Sequence, residues 1–542
     1  MATDPFTKLK LLLSNRPVTF FIVLGAITGR ISQLLFFSYL GGDRSHQALA
    51  TQNFVYGKGI SIAQVLPNNL SEIIYEPLIK WPPGYSFLLT PFYKLFNHNY
   101  IVAGLALDIL FAAILIFVTR AILKNLGTPI YLTNLFTLMT GFVIYSFYKQ
   151  PYADAIAITL YLTALLFTLR LIKNPATWKF DTLAIVLSLI FCAFAKYLYI
   201  PVVFVIPFFL LIKGSYDKQR IIKIASLIVL LAVTASISAL LIYQKSVSGT
   251  AAYITEPTRG FYPENLLHSY PYLPAAFINP ETIGLFFRLP YQQGSWINSL
   301  LQVIHLLGFL ILSFFSLKFF IRKGIKNISH TNSFYYLIFL SLFAVVAVLS
   351  LLSLRVAKEL NIWTYVQEAR YYGLAIILLQ LATFVYFNTR FNHPSKIAKF
   401  VAAALFLLLV PDMARGILFS AKRVMKFNSE EYTWKIEYKT QELAEKVVQE
   451  QKKKYNVSKV VLTGSSDYMN NRVALNSHLP MMYKTELINN LGSFNTKEPV
   501  LLFVLLRSDV LSNFQPFLSN PNKEVAGYIN GFYFYTVYVA PR

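Results

Sequence analysis

The sequence is short of the residues that hold soluble folds together. One cysteine, Cys192, stands in 542 residues, inside an apolar run. A single thiol excludes an intrachain disulfide and leaves no thiolate cluster for zinc. Charged residues make up 14% of the chain, where a soluble domain carries about a quarter. Acids are scarcer than bases: 25 Asp and Glu stand against 49 Lys and Arg, a net charge of +24. No repeat or low-complexity segment stands out, and no His/Asp/Glu set has the spacing of metal ligands. The amino terminus, MATDPFTKLKLLLSNRPVTFF, shows no small-residue cleavage site after its first apolar run and reads as an uncleaved signal anchor.

Apolar residues are abundant. They form 56% of the chain, with 46 Phe and 35 Tyr, and the mean hydropathy is +0.51. Most of such a chain lies in lipid, with its aromatics at interfaces and on sugar-binding faces. Stretches of spanning length occur near 17–40, 99–121, 129–147, 154–172, 182–195, 199–212, 222–243, 296–320, 333–353, 364–387 and 398–420. That predicts a mainly α, polytopic membrane protein with about eleven transmembrane helices. The two stretches flanking Lys196 are short and share a Tyr-Pro hinge.

Basic clusters set the orientation. They lie at Lys8–Arg16, Arg120–Lys124, Arg170–Lys179, Lys213–Lys223, Arg322–Lys326 and Arg390–Lys399. With the amino terminus in the cytoplasm, every cluster falls on the cytoplasmic side, as short loops require. The excess positive charge is then a topology signal and an attraction to anionic headgroups, not a nucleic-acid footprint. The loops 41–98 and 244–295, the turn at Asp154 and the tail from about 425 share the exterior face. The segment Trp81–Phe96 is too short to span and reads as a juxtamembrane or re-entrant helix started by prolines. The tail changes character: a charged helical stretch at 428–455 precedes strand-like runs at 459–464, 499–506 and 532–539. It predicts a small exterior α/β domain at 425–542, after a membrane domain at 1–424.

The exterior face gathers the residues with chemistry. GGDRSHQALATQNFVYGKG puts Asp43, Arg44 and His46 just beyond the first span, ahead of a loop helix and a GKG turn. Trp81-Pro82-Pro83-Gly84-Tyr85 leads back to the membrane. Gln150-Pro151-Tyr152-Ala153-Asp154 opens another helix, Ala195-Lys196-Tyr197 forms the hinge, and Glu368-Ala369-Arg370-Tyr371-Tyr372 precedes a late helix. A sugar transfer from a lipid-phosphate donor needs a carboxylate to take the acceptor's proton and cations over the leaving phosphate. Asp43 suits the first role. Arg370, Lys196 and Arg44 suit the second. Tyr85, Trp81, Tyr270 and Tyr272 offer flat faces for pyranose rings.

Blander readings stand beside these. Asp43 and Asp154 also suit helix capping, Arg370 a snorkelling side chain, His46 a solvated helix face, and the SYPYLP loop at 269–274 an aromatic belt. Lys196 is harder to dismiss, because a lysine between apolar runs is costly without a partner. Arg30 and Asp108 reach similar depths, ~20 Å and ~13 Å from opposite faces at 1.5 Å per residue, which predicts an ion pair between adjacent helices.

In the order of these parts, over roughly residues 15–420, the chain resembles the GT-C superfamily of membrane glycosyltransferases, which includes protein O-mannosyltransferases and lipid A aminoarabinose transferases. The resemblance implies a polyprenyl-phosphate-linked sugar as donor and a glycan, lipid or protein as acceptor. It implies Asp43 and Asp154 as catalytic residues, Arg370, Lys196 and Arg44 at the donor phosphate, and Trp81, Tyr85, His268, Tyr270 and Glu368 at sugar or acceptor. Two positions depart from the pattern: the acidic neighbour of the first-loop aspartate is Arg44 here, and the hinge base is lysine rather than arginine. A divalent ion between Asp43 and Asp154 has no motif behind it. The alternative class is a transporter or flippase of a lipid-linked saccharide, but carriers often show paired inverted halves, and none is visible. The compact loops and lack of cysteine pairs suit a bacterial inner membrane, with the tail in the periplasm.

Overall fold

The computed structural model describes residues 5–37, 42–149, 153–249, 260–268, 270–286, 300–301, 303–311, 313–314, 328–355, 369–391, 395–425, 433–483 and 485–541. The protein is mostly helical with one small carboxyl-terminal sheet. It divides into two compact units. One holds residues 1–37, 108–243 and 252–425; the other holds 38–107, 244–251 and 426–542.

The first unit follows the hydropathy pattern. Among the described residues, eight helices are long and apolar enough to cross a membrane, the helix Tyr100–Asn125 being shared at its start with the second unit. Ile130–Phe142 and Gly373–Thr389 are shorter apolar helices. Much of the expected stretch at 296–320 lies outside the described residues, so a count of eleven rests on the sequence. The short runs around Lys196 lengthen through 3-10 turns into apolar segments Pro175–Ala195 and Tyr197–Tyr216, of 21 and 20 residues. Close helix packing uses small residues where lipid supplies no hydrophobic drive. A Cβ at Gly141 would strike Ala26, and one at Gly416 would strike the carbonyl of Phe142.

The expected Arg30–Asp108 pair does not form. Arg30 is 1% exposed and donates to Gln33 at 2.6 Å, to Val143 O at 3.0 Å and to Thr140 O. Its guanidinium also lies 4.4 Å from the Tyr148 ring centre. Backbone carbonyls freed where the helix Ile130–Phe142 ends offer a fork of acceptors that a planar guanidinium fits better than one carboxylate on a neighbouring helix.

The second unit joins the first long loop to the tail. Helix Gly42–Val55 is followed by a hairpin, β1 Ser61–Leu66 and β2 Asn69–Pro77, and then by the 12-residue helix Gly84–Leu95. The hairpin is new relative to the sequence reading. The tail forms β3 Lys459–Gly464, β4 Val500–Arg507, β5 Lys523–Ile529 and β6 Phe532–Val539, ordered β3-β4-β6-β5. β3 and β4 are parallel, and β4, β6 and β5 are antiparallel neighbours. β4 is buried along nearly its whole length, as its unbroken run VLLFVLLR requires. The strand at 523–529 escaped the sequence reading because KEVAGYI, at the sheet edge, is only partly buried and carries charge.

Residues 480–482 link hairpin and sheet. Met481 exchanges backbone bonds with β1, Val65 N to Met481 O at 3.0 Å and Met481 N to Ala63 O at 3.1 Å. On its other side Met482 N donates to Leu462 O of β3 at 2.8 Å. Val65 and Leu70 of the hairpin share one buried cluster with Val461, Val500, Leu502 and Val537. One unit ends at Met425, and residues 38–107 fall in the same unit as the tail.

Candidate active site

In the first unit the helix Ala153–Lys173 carries Asp154 in its first turn, and the helix Trp178–Ala195 ends at Lys196. Lys196 leaves the helix in an extended conformation, φ −152° and ψ 124°, which frees its side chain from the helix face. Lys196 Nζ donates to Asp154 Oδ2 at 2.9 Å. The carboxylate is fully buried and the ammonium 14% exposed. Asp154 Oδ1 has no hydrogen-bond partner among the described residues.

A second cation approaches through Tyr371. Lys196 Nζ lies 4.8 Å from the centre of its ring and Arg370 Cζ 4.9 Å. Arg370 Nη2 also donates to the Tyr371 hydroxyl at 3.1 Å. Arg370 is buried at 7% exposure, so the snorkelling reading does not describe it. The structure thus brings Lys196, Asp154 and Arg370 together around one phenol ring, two positive charges with one negative. Tyr371 was not singled out beforehand; its place in the run Arg370-Tyr371-Tyr372 was the available signal.

Beside them Tyr372 stacks on Tyr272, 5.4 Å between centres and 9° between planes, and lies 5.9 Å from Tyr270. Tyr272 is 1% exposed and presents no open face to a sugar, whereas Tyr270 is half-buried at the edge of the stack. The 3-10 turn Pro263–His268 holds the backbone of His268, and Glu368 lies outside the described residues.

In the second unit Asp43 stands in the first turn of the helix Gly42–Val55, inside the helix rather than before it. That position lies beside the unpaired amides at the positive end of the helix dipole. Its backbone carbonyl accepts from Gln47 Nε2 at 3.3 Å. Arg44 is 4% exposed, and its Nε donates to the hydroxyl of Tyr85 at 2.9 Å. A Cβ at Gly104 would strike the Arg44 guanidinium, so that glycine makes room for it. Tyr85 is fully buried: its ring is not a sugar face, and its phenol fixes Arg44.

Trp81 takes a more open position. His46 stacks with Trp81 at 5.1 Å and with Tyr483 at 5.8 Å, while Asn471 Nδ2 donates to Ser45 Oγ at 2.8 Å and contacts His46 Nδ1 at 3.2 Å. The tail therefore supplies Asn471 and Tyr483 to the neighbourhood of the Asp43 helix, which linear order concealed. His46, read as a solvated residue, is part of an aromatic stack. No group of three His, Cys, Asp or Glu converges on a metal-sized point among the described residues, and at Asp154 the Lys196 ammonium takes the place of a counter-ion.

Neither a family model nor a curated protein matches the sequence. Solved structures do match. The oligosaccharyltransferase of Archaeoglobus fulgidus in its apo form aligns with a TM-score of 0.50 at 8% identity, over 92% of this chain and 71% of that one. The chain has the GT-C fold. ArnT from Cupriavidus metallidurans bound to undecaprenyl phosphate also aligns, at TM-score 0.41 and 12% identity over 96% and 97% of the two chains. AglB from Archaeoglobus fulgidus with an inhibitory peptide and a dolichol-phosphate aligns at 0.45 and 12% over 92% and 70%. At 8% identity the alignment with TM-score 0.50 carries the fold alone, and the chemistry must be read from this chain's own residues.

Proposed function

We propose that this chain is a membrane glycosyltransferase moving a sugar from a polyprenyl-phosphate-linked donor to an envelope glycan, lipid or protein on the exterior face of a bacterial inner membrane. The observation that carries this reading is the pair of cations, Lys196 and Arg370, gathered on Tyr371 with Asp154 buried behind Lys196. Two fixed cations suit a phosphate on which charge builds as the sugar leaves. Asp154 orients Lys196, and Arg44, held by Tyr85, is a further phosphate contact. Asp43 is the general base. The acceptor oxygen bonds to the anomeric carbon, the bond from that carbon to the phosphate oxygen breaks with its electron pair on the phosphate, and the acceptor's proton passes to the Asp43 carboxylate. Trp81, Tyr270, His268 and Glu368 contact sugar or acceptor.

The test uses purified protein, a radiolabelled sugar-charged polyprenyl phosphate and membrane extract as acceptor source. Transfer releases free polyprenyl phosphate and labels the extract. Movement of intact donor across a vesicle without release would instead make the protein a flippase.

A further inference from the structure

Beyond the candidate active site, the second unit holds a cavity of about 300 Å³ between the far end of the helix Gly42–Val55, the hairpin and residues 474–481. It is near the lower size of small-molecule sites, roughly 300–1,000 Å³. Gln52 in its wall lies ~13 Å along the helix from Asp43 at 1.5 Å per residue, so the two do not share a site. We infer that this cavity binds a pyranose carrying an anionic group, through Gln52, Tyr56, Lys58, Tyr75 and His478.

The wall has the parts such a ligand needs. Gln52 is 3% exposed, yet its amide oxygen has no hydrogen-bond partner among the described residues. A buried amide oxygen left unpaired costs free energy that a ligand hydroxyl recovers. The other end of that amide is engaged: Gln52 Nε2 pairs with His478 Nδ1. An N–H donor at Nδ1 sets the neutral tautomer with the proton on Nε2, a donor for a second hydroxyl. Burial and the neighbouring His98 push the His478 pKa down, which keeps the imidazole neutral.

Aromatic faces and charge complete the set. Tyr56 is 49% and Tyr75 37% exposed, unusual for large rings beside a cavity and suited to stacking under a sugar. Tyr56 meets His478 edge-on at 5.2 Å. Lys58 Nζ sits 5.3 Å from the Tyr75 ring centre and is the one formal charge in the lining. A carboxylate or phosphate on the sugar would answer it. His478 itself closes its helix with φ 54° and ψ 36°, a left-handed conformation that glycine or asparagine adopts more cheaply.

The glycosyltransferase reading contributes only the choice of sugar as ligand class. Binding is therefore measured on the full chain in nanodiscs without donor lipid, by saturation-transfer difference NMR with glucuronic acid and with glucose, and with inorganic phosphate added as a competitor. Glucuronic acid is expected to bind, glucose about tenfold more weakly, and Lys58→Ala to erase that difference. Gln52→Leu, which keeps the side-chain volume, and Tyr56→Ala at the open rim should each weaken glucuronic acid at least tenfold. Absence of sugar binding, binding indifferent to both variants, or displacement of glucuronic acid by an equal concentration of phosphate would overturn the inference. None of these outcomes depends on whether Asp43 variants transfer sugar.

Discussion

Lys196 and Asp154 meet at 2.9 Å from the ends of two neighbouring helices, with the carboxylate fully out of solvent. Removing one partner of a buried pair leaves a charge stranded, at a cost of about 3–5 kcal/mol. Lys196→Met should therefore lower the unfolding temperature in detergent strongly, and Asp154→Asn added to it should restore much of the loss. Two losses that simply add would show that the pair is not coupled.

The candidate base invites a different variant. Asp43→Asn keeps size and a side-chain oxygen in the first helical turn but removes basicity. Transfer should fall by roughly 10²–10⁴ in kcat with folding intact. Arg370→Ala should raise the donor KM as well as lower kcat, because the phosphate is charged before and during transfer. Parental turnover by Asp43→Asn would reduce the aspartate to a helix-end residue.

Arg30 supplies a structural prediction. Arg30→Met removes charge-assisted bonds to Val143 O and Gln33, each worth about 1.5–3 kcal/mol when a charged group is involved. Thermal unfolding should drop accordingly. Asp108→Asn should not reproduce the loss, and the double variant should be additive; a rescue by the second change would revive the discarded pairing.

Membrane orientation is testable by fusion. Reporters after Lys124 and Lys399 are expected in the cytoplasm, and reporters at Asn265 and the carboxyl terminus outside. A cytoplasmic carboxyl terminus would break the parity that gives the proposed site a single face.

At the edge of the tail sheet, Lys454 and Tyr455 donate to Glu524 at 2.6 and 2.8 Å. These hydrogen bonds hold the Glu524 pKa below its ordinary value of 4.5, so the native state binds the proton less readily than the unfolded chain. The contribution is present above the unfolded value and is lost as pH falls through the lower folded one. Exchange protection of the Lys523–Ile529 amides, corrected for intrinsic rates, should decline below about pH 4. Glu524→Gln should flatten that decline; an identical decline in both would place the acid-sensitive group elsewhere.

The spans, the short helix at 84–95 and three of the four tail strands were legible because burial in lipid or in a core leaves an apolar run. The Lys196 hinge was legible for the opposite reason, as a charge the surroundings must answer, and Asp154 does answer it. Arg30 misled the reading because carbonyls at a helix end are acceptors without a sequence signature. Asn471 and Tyr483 were invisible beside His46, since hundreds of residues separate them and local periodicity carries no long-range pairing. Tyr85 was read as a binding face, but an aromatic ring looks the same in sequence whether its hydroxyl serves a ligand or an arginine.

The bond from Asn471 to Ser45 closes a chain separation of 426 positions, and the ribbon through Met481 closes a similar one. During synthesis, then, the hairpin and its helix leave the ribosome long before the strands that bury Val65 and Leu70 exist. At ~5–20 residues per second that wait lasts tens of seconds. For that interval the early loop has apolar side chains and open strand edges with nothing of its own chain to cover them, a period in which a holdase or the membrane surface would keep it from sticking elsewhere.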